Sequence, residues 1–137
     1  MKHLFLATGL FAAFATGHGL AQTAVTEATI PFTFEAGKLA FPAGQYRVSE
    51  TNGVVRIQSR EGAHSTFLQG TPLSTYSRAG QYSLRFHVYG DKYYLSEVWS
   101  GTTGRRFPMT KEERLTAASF KPGQPRTDTV AMNRQPK

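Results

Sequence analysis

The stretch from Gln81 to Trp99 constrains the fold more than any other part of this chain. Tyr82, Leu84, Phe86 and Val88 alternate with Ser83, Arg85, His87 and Tyr89, Gly90-Asp91 interrupts, and Lys92 to Trp99 resumes with aromatic and β-branched residues. Alternation at period two sends successive side chains to opposite faces, which is the geometry of a strand. With Gly90-Asp91 as a two-residue turn, Val88 faces Tyr93, Phe86 faces Leu95, Leu84 faces Glu97 and Tyr82 faces Trp99. That face is almost wholly apolar. The other pairs Tyr89 with Lys92, His87 with Tyr94, Arg85 with Ser96 and Ser83 with Val98, and reads as solvated. A slip of one residue would invert one strand, so the assignment depends on the turn.

The same alternation runs back towards Thr26. Ala28, Ile30, Phe32 and Phe34 share a face, and Pro31, which cannot donate a ladder hydrogen bond, places this strand at an edge or breaks it. Leu39 and Phe41 lead into Pro42-Ala43-Gly44, a turn feeding a strand through Tyr46 and Val48. Asn52-Gly53 is the strongest hairpin signal, because both residues accept the positive φ of a type I′ turn. It pairs Thr51 with Val54, Glu50 with Val55, Ser49 with Arg56 and Val48 with Ile57. A turn at Arg60 to Ala63 enters another strand, Ser65 to Gln69, whose register the turn leaves open, whereas 70–80 and 100–104 read as loops. Thr110-Lys111-Glu112-Glu113 fits a capping box, in which the Thr110 hydroxyl accepts from the Glu113 amide and the Glu113 carboxylate reaches back. A helix from about Lys111 to Ser119 follows, with Leu115 and Ala118 as its apolar contacts. Lys121 to Lys137 has little to bury and reads as a disordered basic tail. The expected fold is therefore all-β, a small antiparallel barrel or sandwich of six to eight strands with one short C-terminal helix.

Before this domain stands a segment with a different task. Met1 to Ala21 has a basic start, an apolar run from Leu4 to Ala15 and small residues, Gly19 and Ala21, ahead of a cut before Gln22. That is the pattern of a secretory signal peptide, and its apolar run is shorter than the roughly 20 residues a spanning helix takes. The expectation is an exported protein, periplasmic or secreted, with no membrane span after cleavage. Loss of Lys2 from 16 basic residues leaves 15 against nine acidic, a net charge of +6 over 116 residues. Such a balance suits an anionic envelope polymer or a protein partner, and no nucleic-acid motif accompanies it. Cysteine is absent, which excludes disulfides and thiolate metal sites.

Chemistry-bearing residues are sparse. Glu97 is a carboxylate on an otherwise apolar face, where burial would raise its pKa unless an arginine such as Arg105 or Arg106 meets it. His87 lies beside Tyr94, a pairing that could handle protons, yet on the face read as solvated. His64 and His87, the two histidines beyond the leader, have no metal-ligand spacing, and no cofactor-binding motif is present. The candidate binding residues are thus Glu97, Trp99, Tyr94, His87 and Arg85, with no catalytic set.

Ile30-Pro31-Phe32-x-Phe34, Phe41-Pro42-Ala43-Gly44-x-Tyr46-x-Val48, Tyr93 to Trp99 and the charged Lys111-Glu112-Glu113-Arg114 together carry a likeness. Over roughly Thr26 to Ala118 the chain resembles an uncharacterised family of small secreted bacterial β-rich proteins. The resemblance implies export and a compact β domain, and brings no activity or catalytic residue. The expected role is an exported, non-catalytic protein that binds a partner or ligand. The rivals are a lipocalin-like carrier, which needs a hollow interior, and an exported hydrolase using Glu97, which needs a second titratable group in a cleft.

Overall fold

The computed structural model describes residues 25–75, 81–120 and 125–134. Residues 1–24, on which the signal-peptide expectation falls, Tyr76 and the two ends of the basic segment lie outside them. The chain forms β1 (Val25–Ile30), β2 (Phe34–Ala36), β3 (Leu39–Phe41), β4 (Gly44–Thr51), β5 (Val54–Ser59), β6 (Ser65–Gln69) and β7 (Thr71–Ser74). It continues with β8 (Tyr82–Tyr89), β9 (Lys92–Ser100), β10 (Thr103–Arg106), α1 (Lys111–Ser119), β11 (Arg126–Ala131) and β12 (Asn133–Arg134). These strands build two sheets, β12-β1-β4-β5-β6 and β11-β8-β9-β10-β7, with β2 running parallel to β9 and carrying β3. The result is a sandwich, not a closed barrel.

Twelve strands stand among the described residues where six to eight were expected. The additional ones are short. β7 and β10 pair with each other, Leu73 opposite Gly104, and neither has enough alternating apolar residues to announce a strand locally.

The basic C-terminal segment requires a larger correction. Over its described part it is ordered: β11 pairs with β8 from Arg126↔Val88 to Ala131↔Ser83, and β12 pairs with β1 at Thr26↔Arg134. Thr127, Thr129 and Val130 are β-branched, and Met132, between the two strands, is 6% exposed and packs in the core. Backbone pairing and one buried thioether hold a stretch whose composition reads as disordered.

The hairpin β4-β5 has the expected register throughout, and Asn52 and Gly53 take φ of 51° and 82°, as a type I′ turn demands. Pro31 ends β1. Ile30, Phe34, Phe41, Val55, Ile57, Leu84 and Phe86 are all at most 1% exposed. Phe34 centres this packing, 5.2 Å from the rings of Phe41 and Tyr46 and 5.5 Å from Phe86. Aromatic rings in close contact fill the space between the sheets where a carrier would be hollow.

Two strands bend from one sheet into the other. β6 becomes β7 through Gly70, where a Cβ would stand 2.6 Å from the Arg106 carbonyl oxygen. On the opposite side β11 becomes β12 through Met132, whose amide donates to the Tyr82 carbonyl at 2.8 Å.

Candidate functional site

The hairpin β8-β9 follows the expected pairing near its turn, with Val88↔Tyr93, His87↔Tyr94 and Phe86↔Leu95. Beyond that, a bulge intervenes. Arg85 pairs with Glu97, Leu84 with Val98 and Ser83 with Trp99, leaving Ser96 as the extra residue. Ser96 is pinned from both sides: its hydroxyl donates to the Arg85 carbonyl at 3.0 Å, and its own carbonyl accepts from the Phe107 amide at 2.9 Å. One inserted residue therefore reverses the far half of β9. Val98 enters the core, and Glu97 and Trp99 move to the outer face.

There Glu97 is flanked by arginines on both neighbouring strands, since Arg85 and Arg106 are its register partners in β8 and β10. Its Oε1 accepts from Arg106 Nε and Nη2 at 3.2 and 3.0 Å, and its Oε2 from Arg85 Nη1 and Trp99 Nε1 at 3.2 and 2.7 Å. The residue is 7% exposed. Burial opposes its charge, but the hydrogen bonds from Trp99 and Arg106 and the charges of Arg85 and Arg106 outweigh it, so the carboxyl sits below its ordinary range. A group held ionised, with both oxygens occupied, is a poor proton donor at neutral pH. The indole of Trp99 lies over Gly104, where a Cβ would come within 2.7 Å of the ring. Of the two arginines expected as partners, Arg106 meets Glu97, whereas Arg105 turns to the inner side and binds Glu50 Oε1 through Nε at 3.0 Å.

The other half of this face was expected to be solvated and is instead covered by α1. The helix has the expected span and N-cap, with the Glu113 amide donating to Thr110 Oγ1 at 3.1 Å. Its contacts differ from expectation. Leu115 is 61% exposed and Ala118 is also exposed, while Glu113 is the buried residue. The Glu113 carboxylate faces the sheet, its Oε2 3.3 Å from His87 Nδ1 and 3.4 Å from the Tyr89 hydroxyl. Tyr94 and Thr116 join hydroxyls at 2.8 Å. Burial, then the Glu113 charge and hydrogen bond, push the Tyr89 phenol up to about 12. The helix docks through polar groups, because the sheet beneath it presents histidine and tyrosine and not aliphatic side chains.

All five candidates thus fall on one outer face. Glu97, Trp99 and Arg85 form one knot, His87 and Tyr94 belong to the docking of α1, and both sets are engaged within the protein.

The outer face of the first sheet is open. β4 and β5 direct Arg47, Arg56 and Gln45 outwards, and Arg60 follows β5. Arg47 is 3.6 Å from Glu27, Arg60 donates to Gln45 Oε1 at 2.6 Å, and Arg56 lies 5.5 Å from the centroid of the Phe67 ring. Neither Arg56 nor Arg60 forms an ion pair with a carboxylate among the described residues. Phe67, on the edge strand β6, is 66% exposed, the largest exposure among the big apolar side chains described. Beside it lies a groove of about 200 Å³ lined by Glu35, Lys38, Gln69, Phe107, Pro108 and Glu113, among others. Burial, then the nearby Glu112, raises the Glu35 carboxyl above its ordinary value. Arg56, Arg60, Phe67 and Glu35 escaped the sequence reading. For Phe67 a signal was present: it falls on the solvent side of its own strand's alternation.

The described residues contain no group of three or more histidine, aspartate or glutamate side chains placed to hold a metal ion. No protein-family model, curated protein or solved structure matches this chain.

Proposed function

We propose that this chain is an exported, non-catalytic protein that binds an anionic polymer of the cell envelope through the outer face of its first sheet. One observation carries the reading: the two outer faces of the sandwich differ in what they leave available. On the second sheet, Arg85, Arg106 and Trp99 are committed to Glu97, and His87, Tyr89 and Tyr94 to α1. On the first, Arg56 and Arg60 have no carboxylate ion-pair partner among the described residues and stand next to an exposed ring and an amide side chain. A flat cationic surface of this kind attracts a polyanion by long-range steering and holds it by charge-assisted hydrogen bonds. The state of Glu97, ionised and saturated, supports the non-catalytic half of the proposal.

The test is binding to polygalacturonate, with neutral dextran as control, by isothermal titration. Wild-type protein should bind the acidic polymer alone, and more weakly as salt rises from about 50 to about 200 mM, since screening shortens the reach of exposed charges. The double variant Arg56→Gln/Arg60→Gln should lose roughly tenfold in affinity, about 1.4 kcal/mol, with its melting temperature unchanged. Equal binding of dextran, or full binding by the double variant, would overturn the proposal.

A further inference from the structure

Edge strands expose a row of unpaired backbone donors and acceptors, and proteins usually guard them with charge, proline or short length. Here most edges are guarded. β7 contains Pro72, β11 carries Arg126 and Asp128, β12 has two residues and β3 has three. β6, Ser-Thr-Phe-Leu-Gln, has neither charge nor proline.

The register shows which of its backbone groups are free. In a two-residue hairpin the closing residues, Thr51 and Val54, exchange both their hydrogen bonds. The amides of Val54, Arg56 and Gln58 therefore turn to β4, and those of Val55, Ile57 and Ser59 turn to β6. The Ser59 amide, which donates to the His64 carbonyl at 2.8 Å, agrees. Val55 is opposite Leu68 and Ile57 opposite Thr66, so Thr66 and Leu68 are the residues bonded back to β5. Ser65, Phe67 and Gln69 direct their N–H and C=O groups to the unpaired side.

That side borders a groove. The pocket of about 200 Å³ next to Phe67 and a second of about 330 Å³ next to Gly70 share Gln69, Phe107 and Pro108, and no residue of β5 lines either. The turn between β2 and β3, Gly37 and Lys38, bounds one side and Phe107-Pro108 the other.

We infer that this groove is a docking site for one extended peptide segment of another protein, added to β6 as a further strand and carrying a basic side chain beside Glu35. The walls favour a lone strand, because a folded copy of this protein would bring its own sheet against Pro108 and Lys38. Backbone bonds to Phe67 and Gln69 would supply affinity, and alternate side chains would supply selectivity, one towards Phe67 and the next towards the carboxylate of Glu35. The site is separate from the cationic face, so either can fail without the other.

Three blocked pentapeptides test it: Thr-Val-Lys-Val-Thr, the same sequence with norleucine for lysine, and the same sequence N-methylated at alternate amides. Each is titrated into isotopically labelled full-length protein. The lysine peptide should shift the amide resonances of residues 65–69 and 107, the norleucine peptide should bind several-fold more weakly, and the N-methylated peptide should not bind. The variant Glu35→Gln, checked for an unchanged melting temperature, should abolish the preference for lysine while retaining the norleucine peptide. Absence of binding at millimolar peptide, equal binding of the N-methylated analogue, shifts confined to residues outside the groove, or self-association of the protein through residues 65–69 would each overturn the inference.

Discussion

Glu97 shows how much one side chain depends on its two register neighbours. A carboxylate with 7% exposure survives because Arg85, Arg106 and Trp99 supply four donors. Replacing it by glutamine leaves two guanidinium groups facing an amide that can accept at a single oxygen. The expected cost is about 2 to 4 kcal/mol at pH 7, below the roughly 3 to 5 kcal/mol for losing one partner of a fully buried ion pair because the Arg106 side chain is largely exposed to solvent. The folded-state pKa is lowered, so the stabilisation is complete above the ordinary carboxylate value of 4.5 and is lost as pH falls through the depressed one. Urea unfolding of wild type and Glu97→Gln at pH 7 and at successively lower pH should therefore show a gap that narrows only in acid. A gap independent of pH would mean that shape, not charge, is what glutamine fails to reproduce.

At the scale of elements, the bulge at Ser96 is decisive. A regular hairpin that kept Ser96 in the pairing, opposite Arg85, would return Glu97 to the inner face opposite Leu84. An unpaired carboxylate in that core costs several kcal/mol. Deleting Ser96 removes the bulge and leaves Glu97 next to Leu95 and still opposite Arg85, so the deletion variant should keep the dispersed amide spectrum of a folded β protein, as should Ser96→Ala, which should lose about 1 kcal/mol for one hydroxyl hydrogen bond. An unfolded deletion variant would show that the Ser96 contacts, not the facing of Glu97, decide the strand. This element also marks the boundary of what the sequence discloses. Turns at Asn52-Gly53 and Gly90-Asp91, the strand break at Pro31 and the Thr110 cap are written in residues with special backbone chemistry, and each lies where expected. A bulge has no such residue. Ser96 is ordinary in composition, and its position is set by the Phe107 amide and the Arg85 carbonyl, groups far away in the chain. The docking face of α1 was illegible for a related reason: Glu113 is a normal capping residue by sequence, and only the tertiary fold brings His87 and Tyr89 to its carboxylate. Likewise β11 and β12 draw their order from β8 and β1, which a reading of residues 121–137 in isolation does not contain.

For the molecule as a whole, the bent strands at Gly70 and Met132 tie the two sheets along both flanks. The C-terminal flank contributes nine residues, the six of β11 from Arg126 to Ala131, Met132, and the two of β12, Asn133 and Arg134. Truncation after Phe120 would strip β8 and β1 of their outer partners and expose the core around Met132. The melting temperature should fall by more than about 10 °C, since a domain of this size loses roughly 4 to 8 °C per kcal/mol. A truncated protein that melts with the wild type would show that β11 and β12 add nothing. The pairing Thr26↔Arg134 has one more implication, for timing. The first described strand is sealed by the last, so a chain synthesised N-terminus first cannot complete this sheet until residues 133–134 have emerged. Such long-range closure slows folding, and until it forms β1 keeps an open edge on the side that β12 covers.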